Sequence, residues 1–584
     1  MSSGSVAHRG TGGRVMHVYE AIVRGLEDLG VRTAFGGNGE NIASLTVALH
    51  RSRTIRPILT RHEQAAAYMA CGYSMFTDNL GVCFATVGPG AFNLVNGLAV
   101  AMSDSYPVLA LTGYIETSWE GRGAVNDTSG RNRTPDSQAL FAATTKKSFK
   151  ITEIEQTCDV LEEAVNIAFE GRPGPVHVAV AQDLTHHHVH VPNYHDLRIT
   201  VSPPQPEPAA VEQVADALAE AFAAGRNVIL LAGFGAVYGG AQAEVKRFAE
   251  RFQTPVVTTL DGKGVIAENH PLCVGVFSES GHSSAWKAFR NADVVLAVGN
   301  SLNQHATFGL REDLFDNKTL IQVNISAGEI GKFYPAQHAL VSDARPGLAA
   351  ITAALAARVG ARAPAKVDAQ DYEARHIPHV TGDIHPGQLA QAMGRMLPPG
   401  GVILADAGAH LAWLGYYLEL EEGQNFRKCG TFGPMAAHTN AAIGLKAAQP
   451  HRTVVVGCGD GCYAMAGFEL MTAVENDLPV IWVIFNDAEF KLVKLYQLAN
   501  YARTGLVELA SPDFAAYARA CGADGYSVDS IGEFSEAYAA ALGSRRPTVI
   551  DAKITRWALP HYSSSPKGPL HGVWEMLEER LRGG

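Results

Sequence analysis

No stretch of this 584-residue chain reaches about 18 uncharged apolar residues, so a membrane-spanning helix is not expected. The N-terminal "MSSGSVAHRGTGGRV" lacks an apolar core and reads as a flexible tail, not a signal peptide, which makes the cytoplasm the expected compartment. Positive charge is also scarce. A net charge of −11 and no basic block argue against a nucleic-acid partner. The eight cysteines are scattered, which excludes a disulfide framework. Cys458 and Cys462 flank a glycine turn, but no second Cys/His pair follows nearby, so buried small residues are expected there and not zinc ligands.

What the chain does have is apolar sequence in short pieces. Hydrophobic residues make up 47% and charged residues 18%, which suits a large enzyme with well-buried sheets. Three blocks repeat one rhythm of apolar strand, glycine-rich turn and amphipathic helix. The first spans 15–191, with "VRTAFGGNGEN", "LGVCFATVGPGAFNLVNGLAVAMSD", "YPVLALTG" and "GPVHVAVAQD". The second spans 208–358, with "NVILLAGFGA", "TPVVTTLDGKGV", "ADVVLAVGNSL" and "TLIQVNIS". The third spans 380–557, with "GVILADAG", "RTVVVGCGD", "LPVIWVIFND" and "PTVIDAKI". Continuous Val/Leu/Ile/Ala strands alternating with helices predict an α/β fold of three doubly wound parallel-sheet domains. The linkers are "VSPPQPEPAA" and "AALAARVGARAPAKVDAQ", and residues 558–584 form a Ser/Pro/Gly hinge followed by a short helix, a candidate lid.

Fold alone names no chemistry, so the sites must. Ligands of open parallel sheets bind outside the carboxyl ends of the strands. Gly459-Asp460-Gly461 ends one apolar strand and Asn486 ends another, 26 residues after Asp460. A carboxylate, an amide oxygen and the backbone carbonyl of Ala488 make a hard-oxygen set suited to Mg²⁺ or Ca²⁺, with phosphate oxygens and water completing the shell. A lone GDG would be read as a helix cap; the pairing with Asn486 is far more specific.

At these residues the chain resembles the thiamine-diphosphate-dependent superfamily of pyruvate oxidases, acetolactate synthases and decarboxylases. The resemblance covers nearly all of 15–557. It implies thiamine diphosphate as cofactor, with Asp460, Asn486 and Ala488 holding Mg²⁺ and Gly459 and Gly461 shaping the turn. The three domains become pyrimidine-binding, middle and diphosphate-binding. Asp487 departs from the second Asn usual in the family. Glu63, in "TRHEQAAAYMACGYS", matches the glutamate that hydrogen-bonds N1′ of the aminopyrimidine ring and promotes its imino tautomer. Met435, in "GTFGPMAAHTNAAIG", matches the apolar wedge under the cofactor's bend, with the Gly433 carbonyl accepting from the 4′-amine. His410 matches a position near the diphosphate. Because relatives place the cofactor between the first domain of one subunit and the third of another, a homodimer or homotetramer is implied.

Substrate choice rests on fewer residues. Glu40, in "FGGNGEN", and Glu489, just past the metal loop, stand where the family varies; two carboxylates near a developing alkoxide suit proton transfer, with at least one pKa raised. Gln138 is the candidate active-site glutamine. In the middle domain Asn324 and Ser326 occupy positions where flavin-binding relatives carry acids, which disfavours FAD and leaves room for ADP. The C-terminal hinge and helix resemble the segment that oxalyl-CoA decarboxylases and 2-hydroxyacyl-CoA lyases close over coenzyme A, with Lys567 and Arg580 candidates for the CoA phosphates, and the acid in "NDAEF" fits the actinobacterial 2-hydroxyacyl-CoA lyases, which cleave 2-hydroxyisobutyryl-CoA to acetone and formyl-CoA. The expectation is therefore a reversible 2-hydroxyacyl-CoA lyase with an acyl-CoA substrate. The alternative is an acetolactate-synthase-like carboligase or decarboxylase acting on a 2-oxo acid.

Overall fold

The computed structural model describes residues 14–185, 190–363, 377 and 383–560, and the fold follows from how their apolar runs are covered. The chain divides into two compact units, residues 1–202 and 203–584. The candidate lid, with Lys567 and Arg580, lies outside the described residues from 561 onward.

In the first unit, β1 (Arg14–His17) pairs antiparallel with β8 (His190–Tyr194). The strands β2 (Thr33–Gly36), β3 (Arg56–Leu59), β4 (Gly81–Ala85), β5 (Val108–Tyr114), β6 (Lys147–Ile151) and β7 (Pro175–Ala181) form a parallel sheet in the order 3-2-4-5-7-6. Every residue of β5 and β7 is buried, as expected for central strands covered on both faces.

The second unit holds two such sheets. The strands β9 (Val228–Ala232), β10 (Val256–Thr259), β11 (Cys273–Phe277), β12 (Val294–Val298), β13 (Thr319–Asn324) and β14 (His338–Val341) run 11-10-9-12-13-14. The strands β15 (Val402–Ala405), β16 (Asn425–Lys428), β17 (Val454–Gly459), β18 (Val480–Asn486), β19 (Asp524–Val528) and β20 (Thr548–Lys553) run 16-15-17-18-20-19. The first and third sheets thus share one topology, whereas the middle sheet is wound outward from β9. In the shared topology the order reverses between β2 and β4, and again between β15 and β17, which opens a crevice at the strands' carboxyl ends.

The parallel α/β architecture matches the sequence expectation, and the described residues contain no helix long and apolar enough to cross a membrane. All eight cysteines are free thiols, and among the described residues no His/Cys/Asp/Glu cluster of metal-binding type occurs.

Within the second unit, Lys263 joins the two sheets' connections. Its side chain is fully buried; Nζ donates to Glu268 Oε1 and Oε2 at 2.5 and 2.6 Å and to the Leu418 carbonyl at 2.7 Å. Glu268 in turn accepts from Leu420 N–H at 2.9 Å, and its own N–H donates to the Leu420 carbonyl. Two ions leave water here, so the pair is costly to break and less costly to replace. Lys263→Met, which strands the Glu268 charge, is expected to destabilise by about 3–5 kcal/mol. Lys263→Met/Glu268→Leu should recover most of that loss, as read from urea-denaturation midpoints.

Candidate active site

The crevice at β15 and β17 holds the predicted diphosphate-site residues together. One cavity is lined by His410, Met435, Gly459, Asp460, Gly461 and Glu489, and Asp487 joins them. The turn after β17 delivers Asp460, which is 4% exposed. Its Oδ1 accepts from Gly461 N–H at 2.9 Å, while Oδ2 has no hydrogen-bond partner among the described residues. Burial pushes its pKa up to about 6, with the charge of Asp551 adding to the shift and the backbone N–H groups of Gly461 and Ala488 opposing it.

Strand β18 ends in Asn486, also buried. Its Nδ2 donates to Asp551 Oδ1 at 2.7 Å. Ala488, two residues on, has φ of +54°, a left-handed conformation that costs a non-glycine residue about 1–3 kcal/mol and occurs mostly at functional sites. Its carbonyl accepts from Leu509 N–H at 2.9 Å. Asp487 is 7% exposed, and burial raises its pKa to about 7; Lys491 opposes the rise while Asp460 and Glu489 add to it.

These residues fit a divalent cation. An unpartnered buried carboxylate oxygen, an amide oxygen and a carbonyl are the hard donors Mg²⁺ takes, and a 2+ charge would favour the ionised form of both raised aspartates. Asp487 contributes to that field and was passed over in the sequence as a small departure from an expected Asn.

Glu489 does not behave as expected. Its side chain is fully buried between Lys491 and Lys494, which pair with separate carboxylate oxygens. Burial alone would raise its pKa, but the two lysines outweigh burial and hold it below the usual range. In this cavity the raised carboxylate is Asp487, and Glu489 is the ionised one. Glu40 lies in the first unit, exposed, in the short turn Glu40–Ile42 after β2.

His410 opens the helix His410–Tyr417 and is buried. Its Nε2–H donates to the Asp406 carbonyl at 2.8 Å, and burial lowers its pKa to about 4, so the ring is neutral with Nδ1 as acceptor. Gly408, at φ +148°, clears the ring: a Cβ there would lie 2.8 Å from it. Gly461 is required for a similar reason, since a Cβ would meet Phe490 at 2.7 Å and Met435 at 3.1 Å. Gly433 has φ of +59°.

In the first unit, Glu63 begins the helix Glu63–Ser74 after β3. Its Oε2 accepts from Asn93 Nδ2 at 2.9 Å. Gly37 after β2 and Gly90 after β4 face Oε1, and a Cβ on either would come within 3.2 Å of it. Glu63 therefore stands at that sheet's own switch point, in a slot that only glycines leave open. Gln138 is placed elsewhere. On the helix Ser137–Thr144, its Oε1 accepts from Ser148, which bonds the buried His177, so it belongs to a strand-side polar chain with no bond to Glu63. At the end of β13, Asn324 is engaged with the Asn300 carbonyl and Ser326 N–H.

Comparison with known proteins follows this geometry. Family models match residues 16–134 (thiamine pyrophosphate enzyme, N-terminal TPP binding domain), 215–351 (central domain) and 406–552 (C-terminal TPP binding domain). The chain is 33% identical to a probable acetolactate synthase large subunit of Methanocaldococcus jannaschii over 550 residues, 92% of this chain and 91% of that one. It is 31% identical to an acetolactate synthase of Mycobacterium bovis, covering 87% and 82%. It is 32% identical to an acetolactate synthase large subunit of Parasynechococcus marenigrum, covering 92% and 87%. None of these three carries the 2-hydroxyacyl-CoA lyase name that the tail suggested, and the matches give ADP no support. With an Asp460–Asn486 oxygen site at one switch point and a glycine-lined glutamate at another, this chain belongs to the thiamine pyrophosphate enzymes.

Proposed function

We propose that this thiamine-pyrophosphate enzyme is a 2-hydroxyacyl-CoA lyase that cleaves a substrate such as 2-hydroxyisobutyryl-CoA reversibly to a ketone or aldehyde and formyl-CoA. The observation that carries the reading is Glu489, a buried, ionised carboxylate in the same cavity as Asp460. The second reading, an acetolactate-synthase-like enzyme acting on a 2-oxo acid, has the stronger support from the relatives' names. The two differ in what the cavity must do: the lyase needs a base for a 2-hydroxyl group.

In this proposal Asp460, Asn486 and the Ala488 carbonyl hold Mg²⁺, with His410 and Gly459 bordering the diphosphate. Met435 and Gly433 support the bend of the cofactor, and Glu63 serves its aminopyrimidine ring. When bound, thiamine diphosphate supplies the carbon nucleophile and electron sink for chemistry at a carbonyl. Glu489 takes the proton of the substrate's 2-hydroxyl as the C1–C2 bond breaks and the ketone or aldehyde leaves; in the joining direction it returns that proton. The lysines keep it ionised and ready to accept, at some cost in basicity. The proposal retains a homodimer or homotetramer, and it leaves the acyl chain open.

Product analysis by mass spectrometry, with thiamine diphosphate and Mg²⁺ present, separates the readings. Formyl-CoA and acetone from 2-hydroxyisobutyryl-CoA are expected, and acetolactate from pyruvate with no thioester cleavage would establish the second reading. Glu489→Gln should lower lyase turnover by about 10²-fold or more while leaving cofactor affinity within a few fold; full turnover would move the base role to Glu40. For the cofactor site itself, Asp460→Asn is expected to abolish the Mg²⁺-dependent binding of thiamine diphosphate seen by calorimetry. Glu63→Gln should bind the cofactor and lose turnover.

A further inference from the structure

Asp551 is a buried carboxylate in the middle of an apolar strand, "PTVIDAKI", and the reading above gives it no role. Strands β18 and β20 are adjacent and parallel, with Ile484 opposite Asp551 and Asn486 opposite Lys553. Residues two apart on a strand share a face, so Asn486, Asp551 and Lys553 stand together. Asp551 Oδ1 accepts from Asn486 Nδ2 at 2.7 Å, and Oδ2 pairs with Lys553 Nζ at 2.7 Å.

We infer that Asp551 is the positioning residue that turns the Asn486 amide so that its oxygen, not its nitrogen, is presented as a metal ligand. An Asn side chain can rotate to exchange its oxygen and nitrogen, and only hydrogen-bonding partners fix which faces where. Ser511 cannot fix it. Its Oγ lies 2.8 Å from Asn486 Nδ2 and 3.1 Å from Oδ1, and a hydroxyl both donates and accepts. The Ala488 N–H favours the observed orientation, but over 3.3 Å. With Lys553 Nζ donating to Oδ2, Asp551 presents Oδ1 to the amide as an acceptor, so the group that faces it is the NH₂. Reversal would set two oxygens against each other and aim N–H dipoles at the cation. Partners of this kind behind metal ligands typically change affinity by about 10–100-fold when removed.

This inference rests on the metal-site reading above, and the test keeps the two apart. Binding of thiamine diphosphate to the full-length apoprotein is followed by calorimetry as Mg²⁺ is titrated, and bound Mn²⁺ is counted by electron paramagnetic resonance. If the wild-type protein shows no divalent-metal-dependent binding, the metal-site reading itself fails. If it does, Asp551→Asn, nearly the same size but able to donate or accept, should raise the half-saturating Mg²⁺ concentration about 10–100-fold, with cofactor affinity at saturating Mg²⁺ within twofold of wild type. Asp551→Ser, smaller and uncharged, is run in parallel as the second variant, with the same expectation. Lys553→Met retains the acceptor and should stay within threefold. A wild-type Mg²⁺ titration for either Asp551 variant overturns the inference. So does a tightening by Lys553→Met as large as the Asp551→Asn loss, because Asp551 would then act through its charge and not through the amide.

Discussion

The burial of carboxylates at the ends of β17, β18 and β20 is the constraint on which the site depends. Asp460, Asp487, Glu489 and Asp551 are all less than 9% exposed. An ionised carboxylate taken out of water is expensive unless paired or hydrogen-bonded. Three of the four find lysines: Glu489 between Lys491 and Lys494, Asp551 against Lys553, and Asp487 3.5 Å from Lys491. Among the described residues Asp460 has only backbone N–H groups, and one of its oxygens is left unpartnered. Among the described residues the arrangement is short of one positive charge at one place, beside that oxygen of Asp460.

The repetition of one topology gives the two outer domains equivalent crevices put to different use. In the β15–β17 crevice glycines admit a histidine ring, Met435 and Phe490 around buried acids. In the β2–β4 crevice glycines admit a single glutamate side chain with one amide partner. The middle sheet is wound in a different order, and its Asn324 is engaged with neighbouring backbone.

Much of the fold was legible because central parallel strands are buried on both faces and must be apolar throughout. Each block showed four such strands, and the strands of the three six-stranded sheets that escaped notice, β3, β6, β11, β14, β16 and β19, are all edge strands. Edges pair on one side only and tolerate charge, as "KSFKI" and "RPIL" show with their partly exposed residues. In the candidate site, Asp460 and Asn486 stand out in the sequence because turn-and-strand spacing sets them at the ends of neighbouring strands, whereas Glu63 stands out only through the family resemblance. The partner of Gln138, Ser148, is not legible in the sequence, because a glutamine in a loop-rich segment gives no sign of what it bonds.

The sequence by itself determined the parallel α/β class and the likeness to thiamine-diphosphate enzymes, and it put forward the Asp460–Asn486 oxygen set as a candidate, because these follow from residue type at fixed separation along the chain. Tertiary structure alone decided the charge states. That Glu489 is held ionised while Asp487 is pushed toward neutrality depends on which lysine reaches which oxygen and how much water each loses. The pairing of Asp551 with Asn486, 65 residues apart, likewise exists only because β18 and β20 are neighbours in the sheet.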